Sequence, residues 1–186
     1  MYLRKVIIFV FIVWGLFSVQ AFADAMQERR IMISASIFPR LIAVDLNLLE
    51  KLDKSGNVRL GVIYHSDIDQ AKKIEKLILR KVKRIAGKNI VVDYIKLKEI
   101  DQLNNGSYSG LFVAQVMSKP EIRKIIQFSN KQNILNFSPF EGDVERGISA
   151  SIFVGAKIRP YFNIKSLKKS GVSLKPALLK VSKAYE

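Results

Sequence analysis

The spacing of apolar residues along this chain predicts alternating strands and helices. Residues 58–64 form a short, largely apolar run that contains valine and isoleucine, which is typical of a buried strand. The segment after it has an apolar residue at every third or fourth position, which predicts an amphipathic helix that ends at Gly87. The stripe of this helix consists of Ala71, Ile74, Ile78, Val82 and Ile85.

Further strands are predicted at 90–97, 110–116 and 134–137, where short apolar or alternating runs are rich in β-branched residues. A second helix is expected to begin near Pro120, because proline suits a first helical turn and Glu121 suits its positive end. The order strand, helix, strand, strand, helix, strand predicts βαβ crossovers. The expected fold class is therefore α/β, with three layers: a mainly parallel sheet and flanking helices.

The C-terminal third predicts an antiparallel hairpin, because two strand-like runs at 148–154 and 157–164 are separated by Gly155 and Ala156. Pro160 cannot donate a hydrogen bond within a sheet, so the second hairpin strand should lie at an edge or carry a bulge.

Two short helices are expected after the hairpin. The first spans 165–170 and stops at Gly171. Ser173 is expected to cap the second, which would turn Leu174, Leu178 and Val181 towards the core.

The first residues have the pattern of a secretory signal. Arg4 and Lys5 precede the uncharged run 6–19, and a small-x-small cleavage site ends at Ala23. We therefore expect residues 1–23 to be a cleaved signal peptide, although the pattern leaves a retained membrane anchor open. Residues 24–56 would form an N-terminal helical arm, kinked or interrupted at Pro39, and residues 57–186 a single α/β domain.

Charge limits the choice of partner. The chain has 31 basic and 16 acidic side chains, for a net charge of +15, and loss of the signal peptide would leave +13. An exported cation is expected to meet an anionic surface or a small anion and not nucleic acid. The helix predicted after residues 58–64 carries a basic ridge of Lys72, Lys76, Arg80, Lys83 and Arg84. A solvated helix face is the simpler interpretation of this ridge. The absence of cysteine excludes disulfides and zinc–thiolate sites.

Ligands of open parallel sheets bind beyond the carboxyl ends of the strands. This rule indicates the loops that follow the strands predicted at 58–64, 110–116 and 134–137 as candidate binding sites. The candidate rim consists of His65, Ser66, Gln115, Met117, Ser118, and Ser138 to Phe140. His65 is the only histidine, so a metal site built on two histidines is excluded within one chain. A capping or hydrogen-bonding role is the simpler interpretation of His65, and either Ser66 or Asp67 is expected to cap the helix that follows.

A charged loop precedes the hairpin and places Glu141, Asp143, Glu145 and Arg146 within 141–147. Paired carboxylates can act as acid and base or hold a hard cation, but the spacing is not that of a calcium loop. A solvated loop neutralised by Arg146 and a polar recognition loop both remain open. No GxGxxG follows the first strand, so no nucleotide cofactor is predicted. The chain has one histidine, no cysteine and no serine–base spacing, so no metal site is predicted and we expect no enzyme activity.

The order of several segments resembles the YfiR-like family of periplasmic proteins. The resemblance rests on LGVIYHSD, NIVVDYIKL, LFVAQVMS, ILNFSPFEGDVERGI, KIRPYFNI and SGVSLKPALLKVSKA, which cover about two-thirds of the chain. Within it, Arg159 and Asn163 correspond to a residue pair on the family's hairpin, and Gly147 to the glycine before the first hairpin strand. A structural role as the cap of the following helix is the simpler interpretation of Asn163.

The resemblance implies a non-enzymatic regulator that represses a membrane-bound diguanylate cyclase by binding its periplasmic sensor region. Envelope signals would then control cyclic di-GMP and biofilm formation. The alternative is a periplasmic protein that binds a small solute through His65, Gln115 and Ser138. The sequence leaves homodimer formation open.

Overall fold

A mixed eight-stranded sheet forms the centre of the computed structural model, which describes residues 24–103 and 108–186. The strands are β1 (Val58–Tyr64), β2 (Arg84–Ile85), β3 (Lys88–Lys96), β4 (Gly110–Val113), β5 (Leu135–Phe137), β6 (Ala150–Val154), β7 (Ile158–Asn163) and β8 (Lys183–Tyr185). Their order is β2-β3-β1-β4-β5-β6-β7-β8. Neighbouring strands are parallel except for the antiparallel pairs β2–β3 and β6–β7. The predicted α/β class with a mainly parallel sheet and a C-terminal hairpin is confirmed.

Helices cover both faces of this sheet. They are α1 (24–42), α2 (Ile68–Lys81), α3 (Lys119–Gln132), α4 (Ile164–Lys169) and α5 (Pro176–Val181), with 3-10 helices at Leu48–Lys51 and Leu97–Gln102. Consecutive residues of β5 point to opposite faces: Phe137 contacts Phe38 of α1, while Asn136 donates to Ser129 of α3 at 2.6 Å. An ion pair between Lys73 and Glu28 places α2 beside α1. The helices α1 and α2 therefore cover one face and α3 the other.

An aromatic cluster fixes α1 to the sheet. The ring centroids of Phe38, Phe112 and Phe137 lie 5.4 to 5.8 Å apart, and all three side chains are fully buried. A Cβ atom on Gly110 would meet Ile42 at 2.4 Å, so glycine permits the close approach of α1 to β4. Because these contacts hold the helix on both sides of Pro39, α1 continues to residue 42, and the alternative of an interruption at Pro39 is wrong.

The helix after β1 is shorter than predicted. It ends at Lys81, and Arg84 and Ile85 pair with β3 as the antiparallel strand β2. Positive φ angles at Ala86 (50°) and Gly87 (77°) form the two-residue turn between these strands. Gly87 therefore lies in a hairpin turn, and its predicted place at the end of the helix is wrong. The spacing of apolar residues alone does not distinguish these two roles.

The C-terminus also differs from its prediction. The N-cap of α5 is Lys175, which makes no capping hydrogen bond through its side chain, and Val181 is exposed, so the proposed roles of Ser173 and Val181 are wrong. The strand β8 was not predicted, because Lys183–Tyr185 is too short to show a period. It pairs with β7 only from Tyr161 onwards, which leaves Pro160 on the uncovered part of β7.

None of the described helices is long and apolar enough to cross a membrane. The predicted signal peptide, residues 1–23, lies outside the described residues.

Candidate functional site

The strands β1, β4 and β5 are parallel neighbours, so their carboxyl ends bring the three predicted rim loops together. Gln115 organises the loop after β1: its Oε1 accepts hydrogen bonds from the backbone nitrogens of His65 at 2.7 Å, Ser66 at 3.1 Å and Asp67 at 3.2 Å. Asp67, not Ser66, caps α2 by accepting from the nitrogen of Gln70 at 2.9 Å. The side chain of Gln115 thus holds two loops together.

His65 contacts the start of α3. Its Nδ1 lies 2.7 Å from Oε1 of Glu121, and the other carboxylate oxygen accepts from the nitrogen of Ser118 at 2.8 Å in a capping box. The Ser118 N–H lowers the pKa of Glu121 most, and His65 lowers it further. His65 and Glu121 therefore join the β1 loop to the N-terminus of α3.

Asp143, which is fully buried, forms a cluster with Ser138 and Arg146 that we call the Asp143 cluster. Ser138 Oγ donates to Asp143 Oδ2 at 2.5 Å, and Arg146 donates to Asp143 and, at 2.9 Å, to the carbonyl of Met117. Burial raises the pKa of Asp143, while Ser138 and Arg146 oppose the rise. The cluster joins the segments after β4 and β5 to the charged loop.

The other two carboxylates of the charged loop bind different partners. Arg30 of α1 donates to Glu141 Oε1 at 3.0 Å, to the carbonyl of Ile152 at 2.7 Å and to the carbonyl of Pro139. Glu145 accepts from the hydroxyl of Tyr161 at 2.7 Å. Burial, with help from Glu145, raises the pKa of Tyr161 to about 12. Within the described residues, no group of three acidic or histidine side chains converges in a way that could hold a metal ion.

The two hairpin residues named by the resemblance lie in unlike surroundings. Asn163 is buried, accepts from the nitrogen of Ser166 at 2.9 Å as the cap of α4, and donates to the carbonyl of Val144 at 2.8 Å. Arg159 is exposed and pairs in register with Phe153 of β6. Asn163 therefore stabilises the fold, whereas Arg159 is accessible to a partner.

A cleft of about 680 Å³ lies between the start of α1, the segment after β4 and the tip of the β6–β7 hairpin. Four apolar side chains from these elements, which we call the cleft mouth, line it while remaining exposed. They are Met26 (48%), Val116 (63%), Val154 (45%) and Ile158 (43%). The lining also includes Arg29, Arg30, Glu141 and Arg146.

Of the predicted site residues, Phe140, Glu141 and Arg146 line this cleft, whereas the four residues of the cleft mouth were not predicted. Val154 and Ile158 look like ordinary strand residues in the sequence, and their exposure follows from their place at the hairpin tip. Val116 was assigned to a strand that in fact ends at Val113.

A second cavity of about 310 Å³ adjoins the cleft and shares Arg30, Phe140, Glu141 and Val154 with it. Here Lys183 of β8 places its Nζ 3.7 Å from the ring centroid of Phe153 and 5.1 Å from that of Tyr161. The terminal strand thus contributes a cation to the aromatic pair on the hairpin.

Comparison with known proteins identifies the fold. No family model matches the chain, and no curated protein matches it. The chain is similar to a conserved domain protein from Vibrio cholerae O1 biovar El Tor, with a TM-score of 0.55, 14% identity and coverage of 82% of this chain and 60% of the other. It is also similar to an ABC domain from Streptococcus pneumoniae in complex with L-Trp, with a TM-score of 0.53, 12% identity and coverage of 77% and 60%. The chain therefore spans 60% of the length of each, and at these identities the likeness shows the α/β fold alone.

Proposed function

We propose that this protein is an exported, non-enzymatic regulator that represses a membrane-bound diguanylate cyclase by docking on its periplasmic sensor region. The observation that carries the proposal is the cleft mouth, where three separate elements expose apolar side chains around one cleft. Contiguous exposed apolar surface is typical of interaction sites. The resemblance to YfiR-like proteins supplies the kind of partner.

The polar residues near the cleft support binding rather than catalysis. Asp143 is buried and bonded to two side chains, and Gln115 is bonded to three backbone nitrogens. Arg146 is bonded to Met117 and Asp143. Side chains that hold loops in this way stiffen the cleft walls, and a rigid apolar surface binds a partner at a smaller entropic cost.

The experiment compares two matched double variants. Val154 and Ile158 are cross-strand partners, so Val154→Asp with Ile158→Lys removes apolar surface while keeping the net charge and placing opposite charges face to face. The control, Leu46→Asp with Leu49→Lys, makes the same changes at two exposed leucines that do not line the cleft.

Each variant is expressed in a strain that lacks the gene, and three quantities are measured: processed protein in the periplasmic fraction, capture of a cyclase from solubilised membranes, and cyclic di-GMP. We expect deletion of the gene to raise the concentration of cyclic di-GMP. Expression of the wild type or of the control variant should return it to the level of the parent strain. The cleft variant should capture the cyclase at least about tenfold more weakly. Unchanged cyclic di-GMP after deletion, together with no membrane protein captured, rejects the proposal.

A second candidate function is the binding of a small solute. The cleft volume of about 680 Å³ suits a small molecule, and its lining combines apolar side chains with the exposed cation Arg29. A molecule with an aromatic ring and a carboxylate would match this lining, and the similar Streptococcus pneumoniae domain is in complex with L-Trp.

Thermal unfolding in the presence of L-Trp and other amino acids tests the second candidate. A ligand present at a hundred times its dissociation constant should stabilise the protein by about 2.7 kcal/mol. Val116→Trp should abolish this shift by filling the cleft, whereas Leu49→Trp, away from the cleft, should preserve it. If no amino acid raises the unfolding temperature, docking on a cyclase remains the better explanation of the cleft.

A further inference from the structure

The outer surfaces of α3 and α4 carry seven cations, all of them exposed. These residues, which we call the α3–α4 basic face, are Lys119, Arg123, Lys124, Lys131, Lys165, Lys168 and Lys169. Among the described ion pairs, only Lys124 of this set meets a carboxylate, that of Asp101 at 3.4 Å. The single acidic residue of the two helices, Glu121, is bonded to Ser118 and His65. The basic face therefore has few anions to neutralise it.

Two glycines show that α3 and α4 lie side by side. A Cβ atom on Gly147 would meet Ile126 of α3 at 2.9 Å and the hydroxyl of Ser166 of α4 at 4.0 Å. A Cβ atom on Gly171, just after α4, would meet the side chain of Asn133, the C-cap of α3, at 3.0 Å. The cations of the two helices therefore form one continuous surface, and α3 lies on the sheet face opposite α1.

The helix α2 provides a comparison, because the sequence predicts a basic ridge on it and the lysines of α4 are not part of that prediction. In the structure, Lys72 pairs with Asp69 at 3.0 Å and Lys73 pairs with Glu28 of α1. Glu75 adds a further carboxylate to the same helix. Two cations of α2 thus pair with carboxylates nearby, whereas Lys124 alone among the seven cations of the α3–α4 basic face has a described ion pair.

The composition of the basic face suits a lipid surface better than a protein partner. None of the large hydrophobic residues that are exposed in the described structure lies on α3 or α4. Protein interfaces rely on aromatic and aliphatic anchors and are depleted in lysine. Anionic lipid head groups attract clustered lysines without any apolar anchor.

We propose that the α3–α4 basic face is a docking surface for an anionic phospholipid bilayer. The attraction is electrostatic, so the protein adsorbs on the head groups without insertion. Raising the ionic strength releases the protein, because salt screens the attraction between exposed charges. Because α1 and α3 lie on opposite faces of the sheet, adsorption leaves the helix that borders the cleft turned away from the lipid. The inference concerns lipid alone and does not depend on the proposed cyclase partner.

Vesicle flotation tests the proposal with the purified protein in the processed form that the cell produces. The vesicles contain either phosphatidylglycerol with phosphatidylethanolamine or phosphatidylcholine alone. One variant carries Lys165→Glu, Lys168→Glu and Lys169→Glu on α4. The matched control carries Lys72→Glu, Lys76→Glu and Arg80→Glu on α2, which changes the net charge equally.

We expect binding to anionic vesicles only, weakened by salt. Each lysine near an anionic surface contributes about fivefold to partitioning, so the α4 variant should lose at least tenfold and the α2 control less than about threefold. Should the α4 variant fail to fold by circular dichroism, Lys119→Glu, Arg123→Glu and Lys131→Glu on α3 replace it. Equal losses in the basic-face variant and the control, no binding by the wild type, or tighter binding to duplex DNA than to vesicles would each overturn the proposal.

Discussion

The Asp143 cluster and the cleft mouth lie close together, yet they differ in burial and in bonding. Asp143 is fully buried and bonded to Ser138 and Arg146. The apolar residues of the mouth, by contrast, remain roughly half exposed. Asp143, a conspicuous charge in the sequence, thus stabilises the fold, whereas inconspicuous apolar residues form the accessible surface of the cleft mouth.

The difference follows from the cost of leaving each kind of group unpaired. A buried charge without partners is strongly destabilising, so a buried carboxylate such as Asp143 requires the donors around it. An exposed valine costs little, so a surface such as the cleft mouth can persist until a partner covers it. Substitutions in the two regions should therefore separate stability from binding.

Asp143→Ala is expected to have the largest effect on stability. It removes the partner of Ser138 and leaves Arg146, whose side chain is 28% exposed, without its carboxylate. We expect a loss of about 3 kcal/mol in the free energy of unfolding, measured by urea denaturation. Asp143→Asn is the control, since it keeps an oxygen that can accept from Ser138 and should lose less. A loss below about 1 kcal/mol for the alanine variant would mean that the cluster does not hold these segments together.

Asn163→Ala should come next, with a loss of about 2 kcal/mol. The change removes the cap of α4 and leaves the carbonyl of Val144 without its donor. Asn163→Ser keeps a neutral acceptor for the nitrogen of Ser166 but is too short to donate to Val144, so it should retain part of the stability. Equal stability of the wild type and the alanine variant in urea would contradict a structural role and favour a direct contact with a partner.

Glu121→Gln is expected to cost up to about 1 kcal/mol at neutral pH, because the amide can keep the capping-box hydrogen bond but lacks the negative charge at the positive end of α3. The folded-state pKa of Glu121 lies below its ordinary value of 4.5, so its contribution is complete above that pH and is lost as pH falls through the folded-state pKa. The difference between the variant and the wild type should therefore vanish in acid.

Unfolding curves at several pH values measure this difference. Glu99→Gln, at an exposed residue of the 3-10 helix Leu97–Gln102, is the control and should change stability little at any pH. A constant difference between Glu121→Gln and the wild type down to strongly acidic pH would contradict the assigned role of the Glu121 charge.

The succession of the main strands along the chain could be predicted, because each strand has its own local pattern of apolar residues. The bounds of β1 were predicted at 58–64 and observed at Val58–Tyr64, and the hairpin was predicted from Gly155 and Ala156. The strand β8 could not be predicted, because it depends on pairing with β7, a contact that local sequence does not contain. The strand β2 was missed for a different reason: its two-residue turn is local, but it requires a positive φ angle at Ala86, which alanine rarely adopts.

The site was predicted less well than the fold, for a related reason. The rim loops do meet, because the carboxyl ends of parallel strands share one edge of the sheet. Whether a polar residue in such a loop faces a ligand or its own backbone depends on three-dimensional contacts, as Gln115 shows. The cleft mouth combines Met26 with Val154, which are far apart in the chain.

The smallest expected effect on stability belongs to the cleft mouth itself. Val154→Asp with Ile158→Lys should change the free energy of unfolding by no more than about 0.5 kcal/mol, because both side chains are exposed and the new charges attract each other across the hairpin. Urea denaturation measures this change, with Leu46→Asp and Leu49→Lys as the control. A loss as large as that of Asp143→Ala would show that the hairpin tip stabilises the fold, and the weaker cyclase capture expected of this variant would then reflect unfolding. Near-native stability together with weak capture would instead place the partner directly on the mouth.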